Sequence, residues 1–154
     1  MSRKPENTFI ASVHRLIPSV YAEKMNNPYR GGTADVWYSG SVGDLWVEYK
    51  YLERIPRSTK ILPDLTPQQA RWLNNRYDEG RNVAVVLGTP AGGVIYRDKG
   101  WMIESDQTSL LALVRSRPEL AQWILNQVGT KCQLPVTSSP RPKSSSRVIG
   151  SSRL

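Results

Sequence analysis

Asp35, Glu48 and Lys50 have the residue types and the spacing for metal-assisted hydrolysis. They lie in residues 33–50, where two runs of aromatic and β-branched residues flank Gly-Ser-Val-Gly at positions 40–43. This pattern predicts a β-hairpin. Since successive side chains of a strand point to opposite faces, Glu48 and Lys50 share one face of the second strand.

The register of this hairpin brings the two acids together. A turn at residues 40–43 pairs Ser39 with Asp44, and it sets Asp35 opposite Glu48 with Cβ atoms about 4.5–5.5 Å apart. Two carboxylates so close repel each other unless a positive charge lies between them. A hard divalent cation takes oxygen ligands from such a pair and keeps several waters. A neighbouring lysine orients or deprotonates a metal-activated water, or stabilises charge on a phosphate, so the pattern predicts a metal-dependent phosphodiesterase.

A purely structural interpretation of the motif is the alternative, because Glu-x-Lys on a strand is also typical of a solvated salt-bridge face. Two features favour the site. The motif lies among apolar and aromatic residues, and Asn-Asn-Pro-Tyr-Arg-Gly-Gly precedes it, a glycine-rich approach that brings the backbone close to Asp35.

The segment resembles the PD-(D/E)XK nuclease superfamily, and within it the small VRR-Nuc-like branch and stand-alone nucleases of bacteriophages. In that superfamily an Asp on one strand and a Glu-x-Lys on the next bind metal and activate water, as Asp35 and Glu48-Tyr49-Lys50 would here. Ala34 departs from the proline that usually precedes the Asp. The resemblance implies that Asp35, Glu48 and the Tyr49 carbonyl ligate Mg²⁺ or Mn²⁺. It also implies that Lys50 positions the attacking water and that cleavage leaves a 3′-hydroxyl.

Two further residues enter through the same resemblance, which runs from Glu6 to about Leu87. Gln69, in a Thr-Pro-Gln-Gln segment that opens a helix, matches the family's Gln-bearing helix and is a candidate catalytic residue. Its alternative role is that of a solvated polar residue. Glu6 matches an upstream acid and is a candidate metal ligand, although an acid in a first helical turn is favourable in any case.

Charge and aromatic residues around the hairpin suggest contacts with nucleic acid. Tyr29 and Trp37 are able to stack on bases, although aromatic residues near a hairpin more often serve packing. The candidate phosphate contacts are Lys24, Tyr29 and Arg30.

Composition limits the function classes. The 154 residues carry a net charge of +8, which suits a polyanionic partner and also fits a membrane-surface protein or a plain soluble one. With Cys132 as the one cysteine and His14 as the one histidine, an intrachain disulfide and a multi-Cys zinc site are excluded. No apolar run approaches the ~20 residues of a membrane span, and no signal peptide is visible. We therefore expect no membrane and a cytoplasmic protein, in the host cytoplasm if a phage encodes it.

The remaining patterns predict an α/β fold with a restriction-endonuclease-like core, a mixed β-sheet flanked by helices. Asp35, Glu48 and Lys50 would cluster at one sheet edge. The predicted nuclease domain covers residues 1–134, and residues 135–154 form a basic Ser/Pro-rich tail that we predict to be disordered. Besides the hairpin, the expected helices and strands are helices at 8–16 (capped by Asn7), 66–80, 109–115 and 118–128, and strands at 20–25, 82–88 and 94–97.

The function expected from these residues is that of a Mg²⁺- or Mn²⁺-dependent DNA endonuclease, structure- or strand-selective. Two alternatives stay open. One is a non-catalytic nucleic-acid-binding module that keeps the nuclease fold, and the other is an RNA-processing nuclease that uses the same site. The chain is also compatible with a homodimer.

Overall fold

The structure is a computed structural model that describes residues 4–27, 29 and 31–131. Arg30 and the predicted tail at 135–154 lie outside these residues. All the predicted elements occur, with ends that differ by a turn or less. They are, in chain order, α1 (Pro5–His14), β1 (Tyr21–Lys24), β2 (Val36–Ser39), β3 (Asp44–Tyr51), α2 (Pro67–Asp78), β4 (Val83–Thr89), β5 (Gly92–Tyr96), a short 3-10 helix (Gly100–Met102), α3 (Gln107–Leu113) and α4 (Arg117–Val128).

The five strands form one mixed sheet in the order β1-β2-β3-β4-β5. The pairs β1–β2, β2–β3 and β4–β5 are antiparallel, whereas β3 and β4 are parallel because α2 crosses over between them. Helices α1 and α4 pack on one face and build one hydrophobic core. Helices α2 and α3 cover β4 and β5 on the other face and build a second core. The predicted α/β architecture, a mixed sheet flanked by helices, is confirmed.

The hairpin has the predicted register, because Ser39 pairs with Asp44 across the turn. One expectation about it is wrong. The site does not lie at a sheet edge, since β3 is the central strand, with the hairpin partner on one side and β4 on the other. Glu48 pairs with Val85 of β4 in the middle of the sheet. The cause is the parallel crossover, which the hairpin pattern alone does not reveal.

The start of α1 also differs from the prediction. Asn7 is not its cap, since the helix begins at Pro5, whose fixed φ and missing N–H suit the first helical position. The Asn7 side chain instead accepts a hydrogen bond of 2.6 Å from Lys24 Nζ. The helix ends at His14, so Leu16 leaves the apolar stripe and is 48% exposed.

Helix α2 begins as predicted, with Thr66 as its cap and Pro67 in its first turn. The Thr66 side chain accepts from the Gln69 N–H, and the Gln69 side chain accepts from the Thr66 N–H, a complete capping box. None of the helices within the described ranges is long and apolar enough to cross a membrane.

A chain of buried polar groups crosses the core beneath the hairpin. His14 Nε2 lies 2.7 Å from the Tyr38 hydroxyl, which in turn hydrogen-bonds the Tyr49 hydroxyl. Tyr38 and Tyr49 are at most 1% exposed, so water cannot replace either partner. The chain ties α1 to both strands of the hairpin.

We expect Tyr38→Phe to lower the free energy of unfolding by about 1–3 kcal/mol, because it leaves the buried Tyr49 hydroxyl unpaired. Tyr49→Phe should cost less, about 1 kcal/mol, because the Tyr38 hydroxyl keeps its hydrogen bond with His14. The double variant should cost less than the sum of the two, since both remove the same contact. Urea unfolding measures all three. Tyr96→Phe is the matched control, because the Tyr96 hydroxyl is buried with no hydrogen-bond partner in the described residues. Strictly additive losses would contradict the chain.

Candidate active site

Asp35 and Glu48 are brought to one place by the hairpin. Asp35 directly precedes β2, whose first residue Val36 pairs with Val47, the residue before Glu48. The Asp35 Oδ2 atom accepts a hydrogen bond of 2.8 Å from the backbone N–H of Tyr49. Its carboxylate is therefore held on β3, beside Glu48.

Glu48 is the acid of the pair that the fold buries, with 1% of its surface exposed. Its Oε1 atom accepts from Gln69 Nε2 at 2.6 Å and lies 3.4 Å from Lys50 Nζ. Its Oε2 atom is buried and has no hydrogen-bond partner among the described residues. A buried carboxylate oxygen in this state needs either a proton or a cation, because desolvating an uncompensated charge is costly.

Both polar atoms of the Gln69 side-chain amide make hydrogen bonds, and these orient the amide towards Glu48. Its Oε1 atom accepts from the Thr66 N–H at 3.0 Å, which directs its Nε2 atom towards Glu48. The glycine-rich approach to Asp35 packs against the same helix start. Gly32 has φ +93°, and a Cβ on it would lie 2.6 Å from the backbone oxygen of Gln68. Only glycine allows this close approach.

Burial and mutual repulsion set the protonation of the acids. Burial raises the pKa of Glu48 to about 8, the Asp35 charge adds to this rise, and Lys50 opposes it. Burial also raises the pKa of Asp35, against the opposing effects of the Tyr49 N–H and of Lys50. The pKa of Glu6 is raised by burial and by the charge of Asp35. The three acids therefore share one electrostatic environment.

The other candidate residues, Glu6, Lys24 and Tyr29, differ in how closely they approach Asp35 and Glu48. Glu6 is half-buried in the first turn of α1, and its charge contributes to the raised pKa of Glu48. Lys24, at the end of β1, lowers the pKa of Glu6 and of Asp35 by its charge. Tyr29 is 92% exposed, and its backbone N–H bonds Asn27 Oδ1. An open cleft of about 550 Å³ leads to Lys50 between Lys4, Glu6 and Glu53.

The donor set fits a hard divalent cation with few protein ligands. Among the residues that the structure describes, no group of three or more Asp, Glu, His or Cys side chains is placed to hold a metal ion. Two carboxylates remain, and the resemblance adds the Tyr49 carbonyl, which together would be the kind of set that Mg²⁺ binds while keeping several waters. The unpaired, buried Oε2 of Glu48 is the observation that favours this fit.

The sequence interpretation missed two features near the site. One is the His14–Tyr38–Tyr49 chain, although inward-facing tyrosines on neighbouring strands are a signal for it. The other is the pairing of Trp37 with Trp46, whose rings stack with centroids 5.7 Å apart. The register that sets Asp35 opposite Glu48 also pairs these tryptophans, so the hairpin prediction already contained this contact.

Comparisons with known proteins find similarity among solved structures only. No family model matches the chain, and no curated protein matches it either. Among solved structures the chain is similar to Hjc of Archaeoglobus fulgidus, a Holliday junction resolvase from an archaeal hyperthermophile. The two are 14% identical, the match covers 75% of this chain and 99% of Hjc, and the TM-score is 0.46.

The raised pKa of Glu48 predicts how the metal-free protein responds to pH. Its ordinary value is 4.5 and its value in the fold is about 8, so between these pH values the folded protein holds a proton that the unfolded chain releases. This contribution to stability is fully present below pH 4.5 and is lost as the pH rises towards 8. It amounts to at most about 5 kcal/mol.

In EDTA we therefore expect the melting temperature to fall from pH 5 to pH 8, and Glu48→Gln to flatten that fall. The glutamine keeps an acceptor for Gln69 but does not titrate. Thermal unfolding monitored by circular dichroism across this range measures the effect. Asp44→Asn is the control, because Asp44 is exposed on the same strand. A fall of equal size in Glu48→Gln would show that another group causes it.

Proposed function

We propose that this chain is a metal-dependent nuclease that hydrolyses phosphodiester bonds in DNA. The observation that carries the proposal is the buried Glu48 carboxylate beside Asp35, with one oxygen that no described donor satisfies. A purely structural acid at such a position would be expected to have both oxygens satisfied. The unpaired oxygen supports a binding role instead.

In this proposal each residue has a distinct role. Asp35 and Glu48 hold Mg²⁺ or Mn²⁺ together with the Tyr49 carbonyl. When bound, the cation polarises the phosphate and lowers the pKa of a water. Lys50, whose Nζ lies 3.4 Å from Glu48 Oε1, orients the attacking water and stabilises negative charge that develops on the phosphate.

Gln69 acts through Glu48 in this proposal. Its Nε2 hydrogen bond fixes which Glu48 oxygen faces the helix and leaves the other for the cation. The capping box keeps this side chain in one orientation, so the carboxylate needs little reorganisation during the reaction. Glu6 contributes negative charge that raises the affinity for a cation.

The net charge of +8 supports a nucleic acid as the substrate, because lysine and arginine side chains attract phosphates over the whole surface. Lys24 lies close enough to the acids to lower the pKa of Asp35 and is a proposed phosphate contact. Membership of the VRR-Nuc-like branch, a bacteriophage origin and a homodimer are parts of the same proposal. DNA is proposed over RNA on the resemblance of the motif.

A non-catalytic binding module is the alternative. Charge alone serves such a module, which does not require a lysine next to a buried glutamate and a second carboxylate. Substitutions of Lys50 and Glu48 therefore distinguish a nuclease from a non-catalytic binding module.

We expect Lys50→Ala to lower cleavage of DNA by at least about 100-fold, because the lysine acts on the reacting groups. Metal binding should be retained. Glu48→Gln should lower both cleavage and metal affinity. Single-turnover cleavage of labelled DNA with Mg²⁺, Mn²⁺ or EDTA measures the rates, and an RNA of the same sequence tests the alternative substrate.

Lys60→Ala is the matched control, since it removes the same charge from an exposed lysine in the loop before α2. It should leave the rate at saturating DNA unchanged. If Lys50→Ala and Glu48→Gln both cut at the wild-type rate, the assigned site is wrong. If the wild type binds DNA but cuts neither DNA nor RNA with either metal, the binding module is the better description.

Metal should also stabilise the fold. Mg²⁺ or Mn²⁺ removes the repulsion between Asp35 and Glu48, so saturating metal is expected to raise the melting temperature of the wild type. Asp35→Asn should lose most of this rise, because it removes one of the two charges and keeps an acceptor for the Tyr49 N–H. Asp44→Asn should retain it. Differential scanning calorimetry with and without metal at pH 8 makes the comparison, and an equal rise in Asp35→Asn would contradict a metal at this pair.

A further inference from the structure

Two aromatic side chains stand outside both hydrophobic cores. Tyr21 of β1 and Trp37 of β2 contact each other edge to face, with ring centroids 5.7 Å apart. Neither belongs to the core under α1 and α4 or to the core under α2 and α3. Tyr21 is 42% exposed. Trp37 also stacks on Trp46 at the margin of the second core, whereas the exposed Tyr21 ring packs on Trp37 alone among the described aromatic residues.

The two rings line a cleft of about 350 Å³ together with Ser39, Gly40 and Lys131. This volume lies within the range of small-ligand sites, about 300–1,000 Å³. The cleft combines two aromatic walls, a hydroxyl and an exposed lysine. A flat heterocycle that carries a phosphate matches these groups, since the ring stacks on the aromatic walls and the lysine meets the phosphate.

The cleft lies along the strand that follows Asp35, because Trp37 and Ser39 of β2 line it. Trp37 follows Asp35 by two residues and projects from the same face, so about 6.6 Å of strand separates them. That distance is about twice the 3.4 Å rise of stacked bases. Trp37 also stacks on Trp46, which precedes Glu48 by two residues on β3. A nucleotide in the cleft would therefore lie one or two positions from a phosphate at the acids.

We propose that this cleft binds an unpaired base of the strand whose phosphate lies at Asp35 and Glu48. The proposal rests on the proposed function, and it narrows the substrate to nucleic acid with a single-stranded segment next to the cleaved bond. A base that is paired inside a duplex keeps both faces stacked on its neighbours, so it has no free face for Tyr21 and Trp37.

The charge of Glu23 also affects which groups the cleft accepts. The Tyr21 hydroxyl bonds Glu23 Oε2 at 2.9 Å, which holds the ring at the cleft wall. Glu23 pairs with Trp37 and places its negative charge beside the rings, which disfavours a phosphate there and leaves the phosphate to Lys131. A second copy of the chain is the competing occupant of this cleft, and the test below distinguishes it from a base.

The test compares Tyr21→Leu with Tyr21→Phe in the full chain. Fluorescence anisotropy in EDTA, which prevents cleavage, measures the affinity for a single-stranded DNA, an RNA of the same sequence and a blunt DNA duplex. Loss of one stacked base lowers affinity by about 5- to 150-fold. We expect Tyr21→Leu to show such a loss with single strands and to leave duplex affinity within about twofold. Tyr21→Phe keeps the ring and should bind like the wild type.

The outcomes separate this proposal from the proposed function. An equal loss for single strands and duplex, or no loss for single strands, overturns the base cleft whatever the cleavage assay shows. If Lys50→Ala and Glu48→Gln cut like the wild type while Tyr21→Leu loses single-strand affinity, the cleft stands and the assigned catalytic site falls. The arm with the Tyr21-dependent loss identifies the strand as DNA or RNA. A wild type that is dimeric by light scattering, with monomeric Tyr21→Leu, assigns the cleft to a second copy and overturns the proposal.

Discussion

The burial of a carboxylate in the central strand is the constraint around which this structure is organised. Glu48 is 1% exposed in the middle of a five-stranded sheet, where an uncompensated charge would be strongly unfavourable. Its surroundings offer partial compensation only. Gln69 donates to one oxygen and Lys50 approaches the same one, while the other oxygen has no donor in the described part of the chain. The Glu48 carboxyl group, whose pKa is raised to about 8, therefore either stays protonated or needs a cation.

Contacts on both faces of the sheet fix the positions of Glu48 and Asp35. On one face, the capping box of α2 fixes Gln69, and the close approach of Gly32 to the same helix positions the chain that enters Asp35. On the other face, the hydroxyl chain of Tyr38 and Tyr49 ties the hairpin strands together beneath the acids. The Tyr49 N–H then bonds Asp35, so the same residue supports the site from within the core. Pre-organisation of this kind is what a binding or catalytic centre requires.

Two surface features, a cleft and a row of aromatic rings, also fit a nucleic acid. A cleft leads to Lys50 beside the first turn of α1. On the face of the sheet that carries α2, a row of aromatic rings runs from Trp46 through Trp37 to Tyr21. A polyanion with exposed bases matches both features, since phosphates are attracted by the basic charge and bases by the rings. The proposed nuclease activity and the proposed base cleft would thus act on the same kind of substrate.

Local patterns in the sequence determined the hairpin, its register and the cap of α2 at Thr66, because turn chemistry and strand alternation act over a few residues. Other features depended on contacts between residues distant in the chain. Because β3 pairs with β4, the site lies at the centre of the sheet instead of at the expected edge, and Glu48 is buried. Asn7 bonds Lys24 instead of capping α1, and no local pattern reports such a partner. The acid–acid–lysine motif could thus be read from the sequence, whereas the low-dielectric surroundings that raise the pKa of Glu48 come from the tertiary structure alone.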